Sequence, residues 1–331
     1  MAVAQRSAAA PLPLSPALGR SALASCGTVF TWWDVRDWMA ADGSWRECLR
    51  RGLCGRALIA AGAATPGTAA LRERAELFRR KRRLVAREDL SAWLARWDVS
   101  DEEWVDWLER SLLVESFELD GHEPLGGMPE VDESVDAERD AWVDAVCSGA
   151  LERAAWSMAE ALGGWATATN GAPLPVTERT RALRDAYERL LALPVTDADL
   201  AREIATHAGS WMSLRLERAD LRTVDAAREA VACWRDDGAP LARVAQLAAA
   251  DLVTEEVRVD ALEGPIRSVA VSAPVGAPVI VGTPRTPGLV VVVADRRLPD
   301  VGIDEDRELA RRSCVEARVE AAVDRWVSWR D

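Results

Sequence analysis

The chain has 331 residues, of which 49% are hydrophobic and 29% charged, a balance typical of a globular protein long enough for two domains. A formal net charge of −13 repels phosphate backbones and argues against nucleic acid as a partner. No apolar run approaches the roughly 20 residues that cross a membrane, so we expect no membrane insertion.

The first 30 residues, rich in alanine and proline, predict a disordered tail. Within it, "LASC" (residues 23–26) resembles the lipobox that precedes a lipidated cysteine, which would make the protein extracytoplasmic. Pro11, Pro13, Pro16 and Arg20 interrupt the continuous apolar segment that a signal peptide requires. We therefore favour a tail and a cytoplasmic protein, and keep the extracytoplasmic lipoprotein as an alternative.

Residues 31–118 predict a helical region rich in tryptophan. Apolar residues repeat with the helical period in two stretches: Leu90, Trp93, Leu94 and Trp97, then Trp104, Trp107, Leu108 and Leu112. Ser100 and Glu103 form a capping-box pattern at the start of the second stretch. The tryptophans suit helix–helix packing, and Trp104 and Trp107 would suit an apolar peptide if they were exposed. The basic run at residues 78–87 is interpreted as the solvated face of a helix.

Residues 119–137 predict a linker of glycine, proline and acidic residues, and residues 138–207 a second helical region. We expect one long helix over residues 138–165, a break at residues 169–175, and shorter helices over 178–191 and 197–206. Thr196 is the predicted N-cap of the last of these helices.

The last third changes to a mixed pattern. Residues 211–218 alternate as a strand does, and residues 224–248 predict two helices that are separated by Gly238 and Pro240. The apolar run in residues 288–300 predicts a buried strand, and residues 304–329 a terminal helix. The expected fold class is α+β, mostly α, with a small domain over 208–300 and a C-terminal helix (301–331) that packs on the helical region.

Two segments of the small domain carry a resemblance to a known family. "DAAREAVACWRDDGAPLARVA" (residues 225–245) and "VVVADRRLP" (residues 291–299) resemble the first helix pair and the last strand of a parvulin-type peptidyl-prolyl isomerase domain. The preceding helices and the terminal helix resemble the layout of SurA-type chaperones. With "CSGALERAAWSMAEAL" (residues 147–162), the chain is similar to parvulin-related proteins that mature ribosomally made peptide natural products.

The chain departs from that family where an active isomerase has its polar groups. Active parvulins carry a histidine at the start of the first strand and another in the last strand. Here Trp211 lies near the first position, His207 lies upstream, and residues 289–293 contain no histidine. The family's glycine-rich loop is replaced by "AADLVTEEV" (residues 249–257). The resemblance therefore implies a degenerate, non-catalytic domain.

Other catalytic and metal-binding patterns are also missing from the sequence. It contains no GxSxG, HExxH, Walker or GxGxxG motif. The six cysteines are scattered without a CxxC pair, and only His122 and His207 could assist them, so we expect free thiols and neither metal nor cofactor.

The resemblance implies a chaperone-like protein that binds a precursor peptide and presents it to other maturation enzymes. A degenerate parvulin domain keeps a groove and a strand edge that accept extended peptides. The candidate contacts are Trp211, Met212 and Trp234 in the small domain, with Trp104 and Trp107 in the helical region. Two functional alternatives stay open, an active isomerase with its site near His207 and an extracytoplasmic SurA-like chaperone. A homodimer also stays open.

Overall fold

The computed structural model describes residues 14–119, 135–175, 179–281 and 288–330. Over these residues the fold is α+β and mostly helical, with 64% helix, 13 helices and two small antiparallel sheets. The chain divides into two compact units. Unit 1 consists of Met1–Leu193 and Val319–Asp331, and unit 2 of Pro194–Arg318.

The elements are as follows. The strands are β1 (Ser21–Ser25), β2 (Thr28–Thr31), β3 (Ser213–Leu221), β4 (Leu252–Arg258), β5 (Pro278–Val281), β6 (Gly288–Arg297) and β7 (Val327–Trp329). The helices are α1 (Trp32–Asp42), α2 (Ser44–Ala60), α3 (Thr68–Lys81), α4 (Arg87–Arg96), α5 (Asp101–Leu119), α6 (Val135–Cys147), α7 (Ala150–Thr169), α8 (Arg179–Leu191), α9 (Asp197–His207), α10 (Val224–Asp237), α11 (Leu241–Leu247), α12 (Gly264–Ser272) and α13 (Asp304–Trp326).

The N-terminal segment differs from the predicted disordered tail over residues 1–30. Residues 1–13 lie outside the described part of the chain, but β1 and β2 pair as an antiparallel hairpin. Leu18, Leu23 and Phe30 are fully buried in the core of unit 1. These apolar side chains order the segment because burial of each is worth about 1.5–3 kcal/mol, a gain that composition alone does not reveal.

Most tryptophans contribute to the core of unit 1. Eight of the fifteen are buried across the chain: Trp32, Trp38, Trp45, Trp97, Trp104, Trp107, Trp142 and Trp211. Trp142 is fully buried and donates its indole N–H to the Trp97 carbonyl at 3.1 Å. The predicted capping box also forms, since the Glu103 amide donates to Ser100 Oγ at 3.1 Å and the Ser100 amide to Glu103 Oε2 at 2.8 Å. The tryptophan-rich sequence thus builds a helix–helix core.

The predicted helix over residues 138–165 is interrupted. Helix α6 ends at Cys147 and α7 begins at Ala150, and between them Gly149 has φ of +78°. A residue with a left-handed backbone conformation ends one helix and allows the chain to start another in a new direction. The apolar period of the sequence does not reveal this break. Most of the predicted linker, residues 120–134, lies outside the described residues.

Unit 2 is built on a sheet with strand order β4-β3-β6-β5. Both faces of β6 are covered, because Val291 and Val293 pack in a cluster with α12, whereas Val290 and Val292 pack with α10 and α11. Burial on both faces explains the continuous apolar run that predicted this strand. Helix α12 and strand β5 lie in a Gly/Pro-punctuated stretch that gave no prediction of structure.

The C-terminal helix is divided between the two units. Ala310 packs with Leu200, Ile204 and Trp211 in unit 2. Val319 and later residues belong to unit 1, where strand β7 pairs with β1. Val319 thus marks the point at which the helix passes into unit 1, and unit 2 begins at Pro194, whereas the predicted small domain begins at residue 208. Among the described residues, no helix has the length and apolarity needed to cross a membrane.

Candidate functional site

Three of the five predicted contact residues are buried, which corrects their proposed role. Trp104, Trp107 and Trp211 are 8%, 6% and 6% exposed, so none offers an indole face to a peptide. Trp107 donates its indole N–H to Asp144 Oδ1 at 3.0 Å inside unit 1. The helical period that singled out these residues reports the face of a helix that packs in the core.

Trp211 also defines the environment of His207, the histidine of the isomerase alternative. The two rings stack with centroids 4.6 Å apart and planes at 19°. His207 Nε2 lies 3.3 Å from Glu203 Oε1, one turn earlier on α9. His207 is thus held at the end of α9 by a ring on one side and a carboxylate on the other.

The other two predicted contacts are partly exposed. Met212 packs against the cluster beside α12, and its carbonyl accepts a hydrogen bond from the Val259 amide at 3.0 Å. Trp234 lies near the end of α10 and is partly exposed. The five residues are divided between the two units: Trp104 and Trp107 belong to unit 1, and Trp211, Met212 and Trp234 belong to unit 2.

A groove of about 620 Å³ lies between α10 and α11. We call it the α10–α11 groove. Its apolar lining includes Ala226, Ala230, Val244 and Leu247. Three charged side chains also line it: Glu229, Asp237 and Arg243. Trp234 is not among its lining residues.

Local sequence signals fix the two helices that form the groove. Thr223 caps α10, since its hydroxyl oxygen accepts a hydrogen bond from the Ala226 amide at 3.1 Å. At the other end Gly238 has φ of +66°, and the amides of Gly238 and Ala239 donate to the carbonyls of Trp234 and Cys233 at 3.1 and 3.3 Å. This is a Schellman-type end, and the next residue, Pro240, precedes the start of α11. The turn that separates the helices therefore follows directly from the sequence.

The groove combines an exposed apolar side chain with a net negative charge, since two carboxylates and one arginine line it. Leu247 is 80% exposed although it lies next to buried Val244 and Ala245 on the same short helix. Glu229 and Asp237 form no hydrogen bond or ion pair with any described residue, whereas the neighbouring acids Asp225 and Asp236 pair with arginines at 2.9 and 2.8 Å. An apolar surface beside two free carboxylates suits a ligand with aliphatic and cationic groups.

Sequence reasoning missed the residues of this groove. It predicted the two helices over residues 224–248 but no site between them. A usable signal was Leu247, which is apolar but lies off the stripe formed by Leu241, Val244 and Ala245. Together with the apolar lining of the groove it extends an apolar surface, and contiguous exposed apolar surface is a feature of binding sites.

Two buried thiols of unit 1, Cys48 and Cys147, are poorly suited to nucleophilic chemistry. Burial raises the pKa of the Cys48 and Cys147 thiols above the usual range for cysteine, which keeps them protonated and poorly nucleophilic. Within the described ranges no three metal-binding side chains cluster.

Comparison with known proteins gives no relative from which a function could be transferred. No protein-family model matches the chain, and no curated protein sequence is significantly similar to it. The function must therefore be argued from the groove itself.

Proposed function

We propose that the protein is a non-catalytic peptide-binding protein and that the α10–α11 groove holds the peptide. The observation that carries the proposal is Leu247, which is 80% exposed in the largest groove that we describe in unit 2. An exposed leucine beside an apolar surface gains free energy when a ligand covers it, at about 25 cal/mol per Å² of apolar area.

The order of elements supports a degenerate parvulin-like domain. Strand β3 leads into α10, an Asp-Gly turn and α11, as the resemblance implies. The last strand, β6, ends at Arg297, two residues before Pro299. The segment in place of the family's glycine-rich loop continues into strand β4. This order of elements supports the proposal of a parvulin-like domain that lacks the family's histidines.

The proposed occupant is an unstructured peptide with alternating aliphatic and basic side chains. Glu229 and Asp237 are free to pair with arginine or lysine, and the net charge of −13 attracts cations over longer distances. In this proposal the ligand is a precursor peptide in ribosomal peptide natural product biosynthesis, and other maturation enzymes act on it. The proposal places the protein in the cytoplasm, which its free thiols support.

The proposal is tested by fluorescence anisotropy with the full chain and a labelled Arg/Leu peptide. Leu247→Ser should weaken binding about tenfold, because it removes an exposed apolar anchor without adding a charge that could pair with the basic peptide. Leu298→Ser is the matched control, since Leu298 is 64% exposed in unit 2 but does not line the groove. Equal binding by the two variants and the parent protein would overturn the assignment of the groove.

A second measurement locates the peptide without a mutation in the binding surface. Cys233 lines the groove and is partly exposed, so maleimide labelling of its thiol should slow when the peptide is bound. Replacing the other partly exposed cysteines, Cys26 and Cys314, with serine keeps the signal specific. Labelling of Cys233 at an unchanged rate under saturating peptide would contradict the proposal.

An isomerisation assay on the same protein distinguishes this proposal from the isomerase alternative. In a proline-peptide isomerisation assay we expect the uncatalysed rate, because His207 is held by Trp211 and Glu203 and β6 carries no histidine. A faster rate that is lost in His207→Ala would support the isomerase instead.

A further inference from the structure

A second cavity lies in unit 1, at the junction of α6 and α7. It measures about 540 Å³, and its lining includes three cationic side chains and one tryptophan: Lys81, Arg82, Arg153 and Trp156. We call it the α6–α7 site. In a chain with a net charge of −13, three cations around one cavity reverse the local sign of the charge.

Arg82 is the most enclosed of these cations. Its Nη2 donates to the carbonyls of Cys147 and Val146 at 2.8 and 3.3 Å, while its guanidinium lies 4.3 Å from the Phe78 ring. Its Nε is buried and has no acceptor among the described residues. Burial lowers the pKa of Arg82, and the opposing effect of Glu152 is smaller. The guanidinium is therefore held in place without a carboxylate bonded to it.

The other two cations are exposed and also lack a carboxylate partner in the described part of the chain. Arg153 Nη1 donates only to the Ser148 carbonyl at 3.1 Å, and Lys81 has no ion pair there. The site lies at the N-terminus of α7, whose first-turn amides add a partial positive charge. These groups together favour an oxyanion.

Trp156 gives the site an apolar side. It is 43% exposed and stacks on Trp329, which is 47% exposed, with centroids 5.6 Å apart and planes at 6°. Its indole N–H donates to Glu160 Oε1 at 3.0 Å, which fixes the ring. Trp156 thus offers a rigid ring face to solvent, unlike the buried tryptophans of the same unit.

We propose that the α6–α7 site binds an acidic peptide, with a side-chain carboxylate on the three cations and a neighbouring aromatic or aliphatic side chain on Trp156. A peptide is favoured over nucleic acid because it has to place only one carboxylate against the cations. Glu152 in the same cavity and the net charge of −13 oppose the continuous phosphate backbone of a nucleic acid more strongly. The site is separate from the α10–α11 groove and takes a ligand of the opposite charge.

The test uses the full chain and a labelled Asp/Glu peptide that contains one phenylalanine. The comparison probes are the same peptide with alanine for phenylalanine, a Lys/Arg version, and a single-stranded oligonucleotide. We expect the phenylalanine peptide to bind best and its affinity to fall as salt screens the cations. An oligonucleotide that binds more tightly than the peptide, or no binding by the peptide, would overturn the proposal.

Matched variants locate the site. Trp156→Ala, and separately the double variant Lys81→Glu with Arg153→Glu, should each weaken binding about tenfold. The controls are Trp33→Ala and Arg46→Glu, which change an exposed tryptophan and an exposed arginine elsewhere in unit 1. Equal losses in the controls would contradict the site. The Arg/Leu peptide of the proposed function is measured separately with the same variants, and Trp156→Ala should affect only the acidic peptide, so failure here is distinguishable from failure of the proposed function.

Discussion

Three carboxylates of α6 are buried in unit 1, and each lies beside an arginine from another helix. Glu138 Oε2 lies 3.4 Å from Arg36, Asp140 Oδ1 3.2 Å from Arg110, and Asp144 Oδ1 3.7 Å from Arg51. Burying a carboxylate costs several kcal/mol unless partners compensate for the lost hydration. The longest of these ion-pair distances belongs to Asp144, so we expect its compensation to be the least complete.

Asp144→Asn should therefore change how stability depends on pH. Burial raises the pKa of Asp144 above its usual value, and the nearby arginine offsets this only in part. An acid whose folded pKa is raised holds its proton more tightly in the folded state. Its contribution to stability is greatest below the unfolded pKa and is lost as pH rises through the folded one. The stability of the parent protein relative to Asp144→Asn should therefore fall as the pH rises above about 4, the usual value for an aspartate.

The measurement is urea unfolding of both proteins at a series of pH values above this one. Because both share every other titrating group, their difference isolates Asp144. A difference in free energy of unfolding that stays constant or rises with pH would show that the arginine, and not burial, dominates the carboxylate.

Single residues were predictable from sequence where their role is local. The capping boxes of Ser100 and Thr196 involve partners three residues away, so the sequence contains the whole interaction. The roles of Trp104 and Trp156 were not predictable in the same way. A tryptophan on a helical stripe has the same spacing whether another helix or solvent faces it, and only the tertiary structure distinguishes buried Trp104 from exposed Trp156.

At the scale of elements, α9 depends on its capping box. The Asp199 amide donates to Thr196 Oγ1 at 3.2 Å, and the Thr196 amide donates to Asp199 Oδ2 at 3.1 Å. Thr196→Ala removes one of these bonds and should destabilise unit 2 by about 1 kcal/mol. Thermal and urea unfolding of the full chain would measure the change.

Thr206→Ala is the matched control on the same helix. The Thr206 hydroxyl donates to the Arg202 carbonyl one turn earlier at 2.9 Å, where the backbone is already helical. Alanine has the higher helix propensity, so this change should be neutral or slightly stabilising. If both variants lost the same stability, the effect of Thr196→Ala would not come from the cap.

Element boundaries were predicted well where a cap or an apolar period marks them. They were predicted poorly where a glycine or proline is compatible with both a helix end and a loop. Gly149 divides α6 from α7, although the apolar period continues through it. Pro265 lies in the first turn of α12, where its missing amide costs nothing, yet a Gly-Pro pair also fits a loop. The sequence does not distinguish these uses, because the choice depends on what the following residues can pack against.

At the scale of the whole molecule, the residues of α13 contribute to both units. In unit 2 Asp306 is buried, and its carboxylate accepts hydrogen bonds from Arg297 at 2.6 Å and from the Asp300 amide at 3.0 Å. In unit 1 the end of the helix passes close to α7. A Cβ at Gly163 would lie 3.0 Å from backbone atoms of Ala322 and Val323, so glycine is needed for this approach. This division was not predictable from the sequence, because one continuous apolar period runs along the whole helix.

Truncation after Arg318 tests this division. The truncated chain loses Val323 and Val327 from the core of unit 1 and loses strand β7 from its sheet. Each buried valine contributes about 1.5–3 kcal/mol, a large share of a stability of about 5–15 kcal/mol. Amide hydrogen exchange should therefore become faster in α7 and β1 of unit 1, and also in α4 and α5, which pack in the same core. Strands β3 and β6 of unit 2 should keep their protection.

Val323→Ala is the milder variant if the truncated protein is insoluble, and it should accelerate exchange in the same elements. Unchanged protection of α7 in Val323→Ala, or equal loss in β6, would mean that the end of α13 does not stabilise unit 1 in the way its buried contacts indicate.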